Sequence, residues 1–93
     1  MNTNIPRPMV HLNGTSGRTL FEQAMKACEA VKEARDAVSE AFPNGRDYYP
    51  QGASAYDKAR NYYEKMLASL DEMATFFLDQ AIAIDTESGA RGR

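Results

Sequence analysis

Residues 42–52 read FPNGRDYYPQG, and this stretch decides the fold because it interrupts a chain that has a helical period on both sides. Pro43 cannot continue a helix, and Asn44-Gly45 favours a turn with positive φ. Upstream, Leu20, Ala24, Ala27, Val31, Ala34, Val38 and Ala41 recur at alternating spacings of four and three, which is a heptad seam. Four of these seven are alanines, so a facing helix can approach closely, while Phe21, Cys28 and Phe42 widen the apolar face. Thr19 is the expected N-cap of this helix, with Glu22 reaching back from the third helical position. Glu22 with Lys26, and Lys32 with Asp36, are spaced as i,i+4 ion pairs.

Downstream, Ser54 is the expected start of a second helix, with Asp57 near the positive end of its dipole. Tyr56, Ala59, Tyr63, Met66, Leu70, Met73 and Phe77 continue the same spacing, extended by Ala81 and Ile84. Leu67, Ala74, Leu78 and Ile82 add a second stripe beside that seam. The second helix, about 45 Å long against about 35 Å for the first, should project past its antiparallel partner by roughly two turns. The expected fold is therefore all-α: an antiparallel helical hairpin over residues 19–86. An extended amino-terminal arm (1–18) precedes it and a disordered tail (87–93) follows. Within the arm, Pro6 and Pro8 favour extended geometry, and Met9, Val10 and Leu12 form a short run able to add a strand. Two apolar faces this wide cannot cover each other within one hairpin, so the reading is a homo-oligomeric helical bundle.

Composition bounds the function. The chain has 93 residues, 43% hydrophobic and 26% charged, which suits one domain. At this size a single core buries only about 60–65% of the unfolded surface, which again favours association. A net charge of −2 argues against a duplex nucleic-acid binder. Cys28 is the single cysteine and His11 the single histidine, so neither an intrachain disulfide nor a His-rich metal site is possible, and no metal or cofactor is expected. No apolar run approaches the roughly 20 residues of a membrane span, and the start lacks the core of a signal peptide. The expectation is no membrane partner and a cytoplasmic location.

Nothing in the sequence forms a catalytic constellation: His11 has no fixed partner, and Cys28 falls beside a helix seam. The expectation is a non-enzyme. One concentration stands out. All five tyrosines, Tyr48, Tyr49, Tyr56, Tyr62 and Tyr63, lie within sixteen residues, accompanied by Arg46, Lys58 and Arg60. Flat rings with polar tips, a guanidinium fork and the backbone amides of Asn44-Gly45 are the ingredients of a nucleotide-sized site. The competing reading is packing, because Tyr56 and Tyr63 fall on the seam, leaving Tyr48, Tyr49 and Tyr62 as free rings, and Asp47 is placed to pair with Arg46. A second polar cluster, His11 to Ser16, contains Asn13 and Thr15. It reads either as a turn and cap or as ligand contacts. These residues lie about 35 Å from the tyrosine loop of their own chain, and six or seven extended residues reach only about 23 Å. A site using both clusters must therefore be shared between subunits.

The strings HLNGTS (11–16) and NGRDYYPQG (44–52) resemble those of short, uncharacterised phage and prophage proteins with a two-helix layout. The resemblance covers about residues 9–80 and implies a viral or prophage origin, with the host cell cytoplasm as the location of a phage-encoded chain, and a helical hairpin. A looser analogy is with phage anti-defence sponge proteins, small oligomers that sequester the cyclic nucleotides or ADP-ribose derivatives of CBASS and Thoeris immunity. It rests on size, expected oligomerisation and the Tyr/Arg cluster. The resulting expectation is sequestration of a small anionic nucleotide-like signal at intersubunit sites. Arg46 would meet phosphate, Tyr48 or Tyr49 would stack, Asn13, Thr15 and Asn44 would add polar contacts, and Lys58 or Arg60 would lend charge. His11 is read as packed beside the arm's apolar residues, with ligand contact as the other possibility. The alternative function is a helical interaction module whose stripe of Leu67, Leu70, Phe76, Phe77 and Leu78 binds and inhibits a host protein.

Overall fold

The computed structural model describes residues 5–90, the last three by backbone alone. It is a helical hairpin. Helix α1 spans Gly17–Glu40 and helix α2 Ala55–Ala90, 24 and 36 residues respectively. They run antiparallel, with Arg35 hydrogen-bonded to Asp71 and Phe42 packed edge-on to Tyr63 at 6.0 Å between ring centroids. Among the described residues there is no strand, so Met9, Val10 and Leu12 do not form one.

Helix α1 begins earlier than its sequence suggests. Ser16, not Thr19, is the N-cap: its hydroxyl accepts from the Thr19 amide at 3.1 Å and donates to the Thr19 hydroxyl at 2.9 Å. The earlier of these two hydroxyl residues accepts from the free amide, and Thr19 becomes the third helical residue. Glu22 then bridges back to Arg18 at 3.8 Å rather than forward to Lys26. At the other end, α2 carries its helical backbone to Ala90, beyond the expected limit of residue 86, and residues 91–93 of the expected tail lie outside the described residues.

The seam is rotated from the expected one. Ala24 and Cys28 are buried and Val31, Arg35, Val38 and Phe42 are half-buried, whereas Ala34 and Ala41 face solvent. The spacing of four and three survives, but Cys28, Arg35 and Phe42 replace Ala27, Ala34 and Ala41 in the row that meets α2. Larger side chains bury more apolar surface than alanine, so the helix turns its bulkier row inward. On α2 the row runs as expected through Tyr56, Ala59, Tyr63, Met66, Leu70, Phe77, Ala81 and Ile84, except that Met73 is 44% exposed and Ala74 takes the inner position. Arg35 enters the interface because it reaches Asp71. The hydrogen bond and then the charge of that carboxylate raise the guanidinium pKa above its ordinary value, partial desolvation opposes this, and Asp36 adds to it. A cation whose pKa rises on folding contributes below its unfolded pKa and loses that contribution as pH climbs through the folded one. The Arg35–Asp71 contribution therefore persists until strongly alkaline pH on the arginine side.

Among the described residues of the two helices, Ala24, Cys28, Ala81 and Ile84 are the fully buried apolar ones, and they lie in the half of the hairpin where the start of α1 meets the end of α2. The molecule is a rod of 62 × 23 × 18 Å with a radius of gyration of 18.8 Å. A compact chain of this length would have about 12 Å. Its accessible surface is 6800 Å², against about 5,400 Å² for a folded monomer of this mass.

The extra length of α2 lies at the loop end. With Phe42 opposite Tyr63, the first two turns of α2 pass beyond α1, and the interhelical loop folds over them. Two 3-10 turns, Gly45–Asp47 and Tyr49–Gln51, build that cover. Asn44 starts the first by accepting from the Arg46 amide through Oδ1 at 3.0 Å. This side-chain cap makes the expected positive φ at Gly45 unnecessary, and the left-handed position falls instead at Gly52, φ 112° and ψ 168°. A side chain there is strained, whereas a Cβ at Gly45 meets nothing within 4 Å. Gly52→Ala should lower unfolding free energy by about 1–3 kcal/mol, with Gly45→Ala within about 0.5 kcal/mol of wild type; paired urea titrations check both. By the same measurement Ser16→Ala should cost about 1 kcal/mol through loss of the cap.

Candidate functional site at the interhelical loop

The loop end divides its tyrosines into two groups. Tyr63 packs on Phe42, and Tyr56 meets Tyr48 edge-on, with centroids 6.3 Å apart and rings inclined by 60°. Tyr48 is thus a packing residue, contrary to its expected place among the free rings. It has a partner because the second 3-10 turn lays the loop back along α2. Tyr49 and Tyr62 remain open, at 78% and 63% exposed.

The cations divide similarly. Arg46 lies exposed in the first 3-10 turn and makes no ion pair among the described residues, Asp47 included. Its backbone is held by Asn44, whose carbonyl oxygen is occupied as a cap and leaves its amide group for a ligand. Lys58 is exposed on the first turn of α2. Arg60 is half-buried: its guanidinium lies over the Tyr56 ring at 5.9 Å, and its Nε is buried with no hydrogen-bond acceptor. The 56–60 spacing of one helical turn is the sequence signal for that contact. Pro43, buried beneath the loop, is a second anchor that sequence patterning missed.

The other proposed contributors lie at the far end. Asn13 and Thr15 are exposed. His11 is exposed too, not packed among the apolar residues. A tight turn, closed by the Gly14 amide donating to the His11 carbonyl at 3.2 Å, folds the imidazole over Gly14, where a Cβ would meet Nε2 at 2.5 Å. The Val10 amide donates to a Glu87 carboxylate oxygen at 3.1 Å, which holds this segment against the end of α2. The length of α1, about 36 Å, separates it from the tyrosine loop. One chain therefore keeps Asn13, Thr15 and His11 apart from Arg46 and Tyr49. An open concavity of about 200 Å³, lined by Arg18, Phe21, Glu22 and Asp85, is also at the far end.

Chemically, the loop end offers an exposed ring and an exposed guanidinium on a braced backbone, suited to stacking and to an anion. Among the described residues no group of three or more His, Cys, Asp or Glu is placed to hold a metal, and no helix is long and apolar enough to cross a membrane. No protein-family model matches the chain, and no curated protein or solved structure matches it. The division of tyrosines predicts that Tyr48→Ala lowers stability by about 1–2 kcal/mol through the lost ring pair. Tyr49→Ala should leave it unchanged within about 0.5 kcal/mol; thermal melts followed by circular dichroism separate the two.

Proposed function

We propose that this chain is a non-enzymatic homo-oligomer that binds a small nucleotide-like anion at sites shared between subunits and sequesters it. The observation that carries this reading is the pairing of exposed Tyr49 with unpaired Arg46 on a loop whose backbone is held by the Asn44 cap, buried Pro43 and the Tyr48–Tyr56 contact. A pre-formed loop loses little backbone freedom on binding, which favours affinity for a planar, charged molecule that meets its exposed ring and unpaired guanidinium. Stacking contributes about 1–3 kcal/mol per base. A charge-assisted hydrogen bond to phosphate contributes about 1.5–3 kcal/mol.

Lys58 and Arg60 add positive charge at the same end, and Asn13 and Thr15, with His11 beside them, are polar groups that a neighbouring chain would supply. The excess surface of the isolated hairpin supports association. The likeness of HLNGTS and NGRDYYPQG to phage and prophage hairpin proteins supports a viral setting, in which removing a cyclic nucleotide or ADP-ribose derivative would blunt a host defence signal in the host cytoplasm. Ligand would be returned unmodified.

Titration calorimetry against cyclic dinucleotides, cyclic trinucleotides and cyclic ADP-ribose isomers tests the reading. At least one class should bind, and recovered ligand should have its original mass. Arg46→Ala should weaken that binding by about 10- to 150-fold while helicity and oligomer size stay as in wild type. No heat from any member, together with stoichiometric capture of a host protein through the exposed Leu78 and Ile82 flank, would replace this reading with that of an interaction module.

A further inference from the structure

Two Asn-Gly steps occur in the chain, Asn13-Gly14 and Asn44-Gly45. Asparagine followed by glycine is open to attack by the backbone on its own side chain, because no Cβ crowds the approach of the next peptide nitrogen to the side-chain amide carbon. By sequence the two steps are alike. The fold makes them different. At Asn13 the attacking nitrogen is already engaged: the Gly14 amide donates to the His11 carbonyl at 3.2 Å and closes a tight turn. The His11 ring crowds that glycine as well, with three of its atoms 2.5–3.0 Å from where a Cβ would stand. Asn61 lies inside α2, where the helix fixes its backbone and Tyr62 follows it.

At Asn44 the corresponding groups are available. The Gly45 amide donates no hydrogen bond among the described residues, and a Cβ at Gly45 meets nothing within 4 Å. Both residues are exposed, so water reaches them. The Asn44 side chain is turned toward the backbone that follows it, since Oδ1 accepts from the Arg46 amide at 3.0 Å. The ring closed by that bond contains both reacting atoms, Asn44 Cγ and the Gly45 nitrogen, and so keeps them near each other. The same donor polarises the side-chain carbonyl and meets the charge that develops on Oδ1 during attack. Closing the smaller ring rotates Asn44 away from ψ 131° and gives up the bond from the Asp47 amide to the Asn44 carbonyl. That bond lies at the exposed start of a three-residue turn, where local opening costs little.

We propose that Asn44 is a self-modification site, at which the loop converts its own asparagine through a succinimide, and that the fold selects it over Asn13. The Gly45 nitrogen attacks Asn44 Cγ, the new N–Cγ bond closes the succinimide ring, and the Cγ–Nδ2 bond breaks. The proton lost by the Gly45 nitrogen passes through solvent to Nδ2, which leaves as ammonia. Water then opens the ring. Addition at Cγ leaves an aspartate in a normal backbone, whereas addition at the Asn44 main-chain carbonyl routes the chain through the side chain as isoaspartate. The aspartate still caps the first 3-10 turn, because its carboxylate accepts from the Arg46 amide as the amide oxygen does. Either product adds a carboxylate next to Arg46, so the loop end loses affinity for an anion as it converts. That last consequence rests on the function proposed above; the conversion itself stands on the geometry of the loop.

Incubation of the full chain at mildly alkaline pH tests the conversion without any ligand, since removal of the Gly45 amide proton makes the reaction faster as hydroxide rises. Mass spectrometry of the tryptic peptides ending at Arg18 and Arg46 reports positions 13 and 44 separately, and isoaspartyl methyltransferase labels the isoaspartate fraction. In the folded chain position 44 should convert about 2- to 12-fold faster than position 13, the factor set by one engaged hydrogen bond at the competing nitrogen. In urea the two rates should converge. Equal rates in the folded chain, faster conversion at position 13, or a preference that persists unchanged in urea overturns the proposal. Gly45→Ala, whose stability should match wild type, should slow position 44 and leave position 13 as it was; an unchanged rate at position 44 rules out attack by that nitrogen. Asn44→Asp supplies the normal-backbone product directly and should bind whichever nucleotide the wild type binds about 2- to 5-fold more weakly, while equal affinity overturns the loss of binding. A wild type that converts at position 44 yet binds no nucleotide sinks the proposed ligand and supports the modification site.

Discussion

The constraint on which the rest of the molecule depends is the single α1–α2 interface, along which Ala24 and Cys28 of α1 and Ala81 and Ile84 of α2 are the fully buried aliphatic and thiol side chains among the described residues. A two-helix layer has no third element to enclose the remaining apolar residues. Val31, Val38, Met66, Leu70 and Phe77 are consequently half-covered along the rest of the rod. A long, thin body keeps a high ratio of surface to volume however well its one interface packs.

The loop end solves a separate problem. Because α2 outlasts α1, the rings of its first two turns would stand free in water, and the loop is recruited to cover them. Buried Pro43, the Asn44 cap, two successive 3-10 turns and the left-handed Gly52 fold the chain back so that Tyr48 meets Tyr56. The residues left over after this packing, Arg46, Tyr49, Lys58 and Tyr62, are those a ligand can reach. The candidate site and the structural cover draw on the same loop and the same first turns of α2, which is why composition alone cannot sort one from the other.

How much was legible follows from which forces are local. Periodicity identified both helices and most of the α2 row, since each apolar position is set by a repeat within one segment. The turn at Pro43 was legible for a similar reason, as proline acts on its own backbone. The rotation of α1 was not, because choosing between the Ala27-Ala34-Ala41 row and the Cys28-Arg35-Phe42 row depends on Asp71 and Tyr63, which are far away in sequence. His11 was placed with its apolar neighbours by proximity along the chain, but the turn at Gly14 points its ring elsewhere. Tyr48 was counted as free because its partner belongs to another element.

The amino-acid order by itself determined two antiparallel helices, the break between them and the gathering of tyrosine and arginine at one end. Each of these follows from spacing or from backbone stereochemistry. Tertiary structure decided which row of α1 turns inward, which tyrosines are consumed in packing and where the left-handed residue falls. Those outcomes are comparisons between competing contacts, and a comparison of that kind exists only once distant segments share the same space.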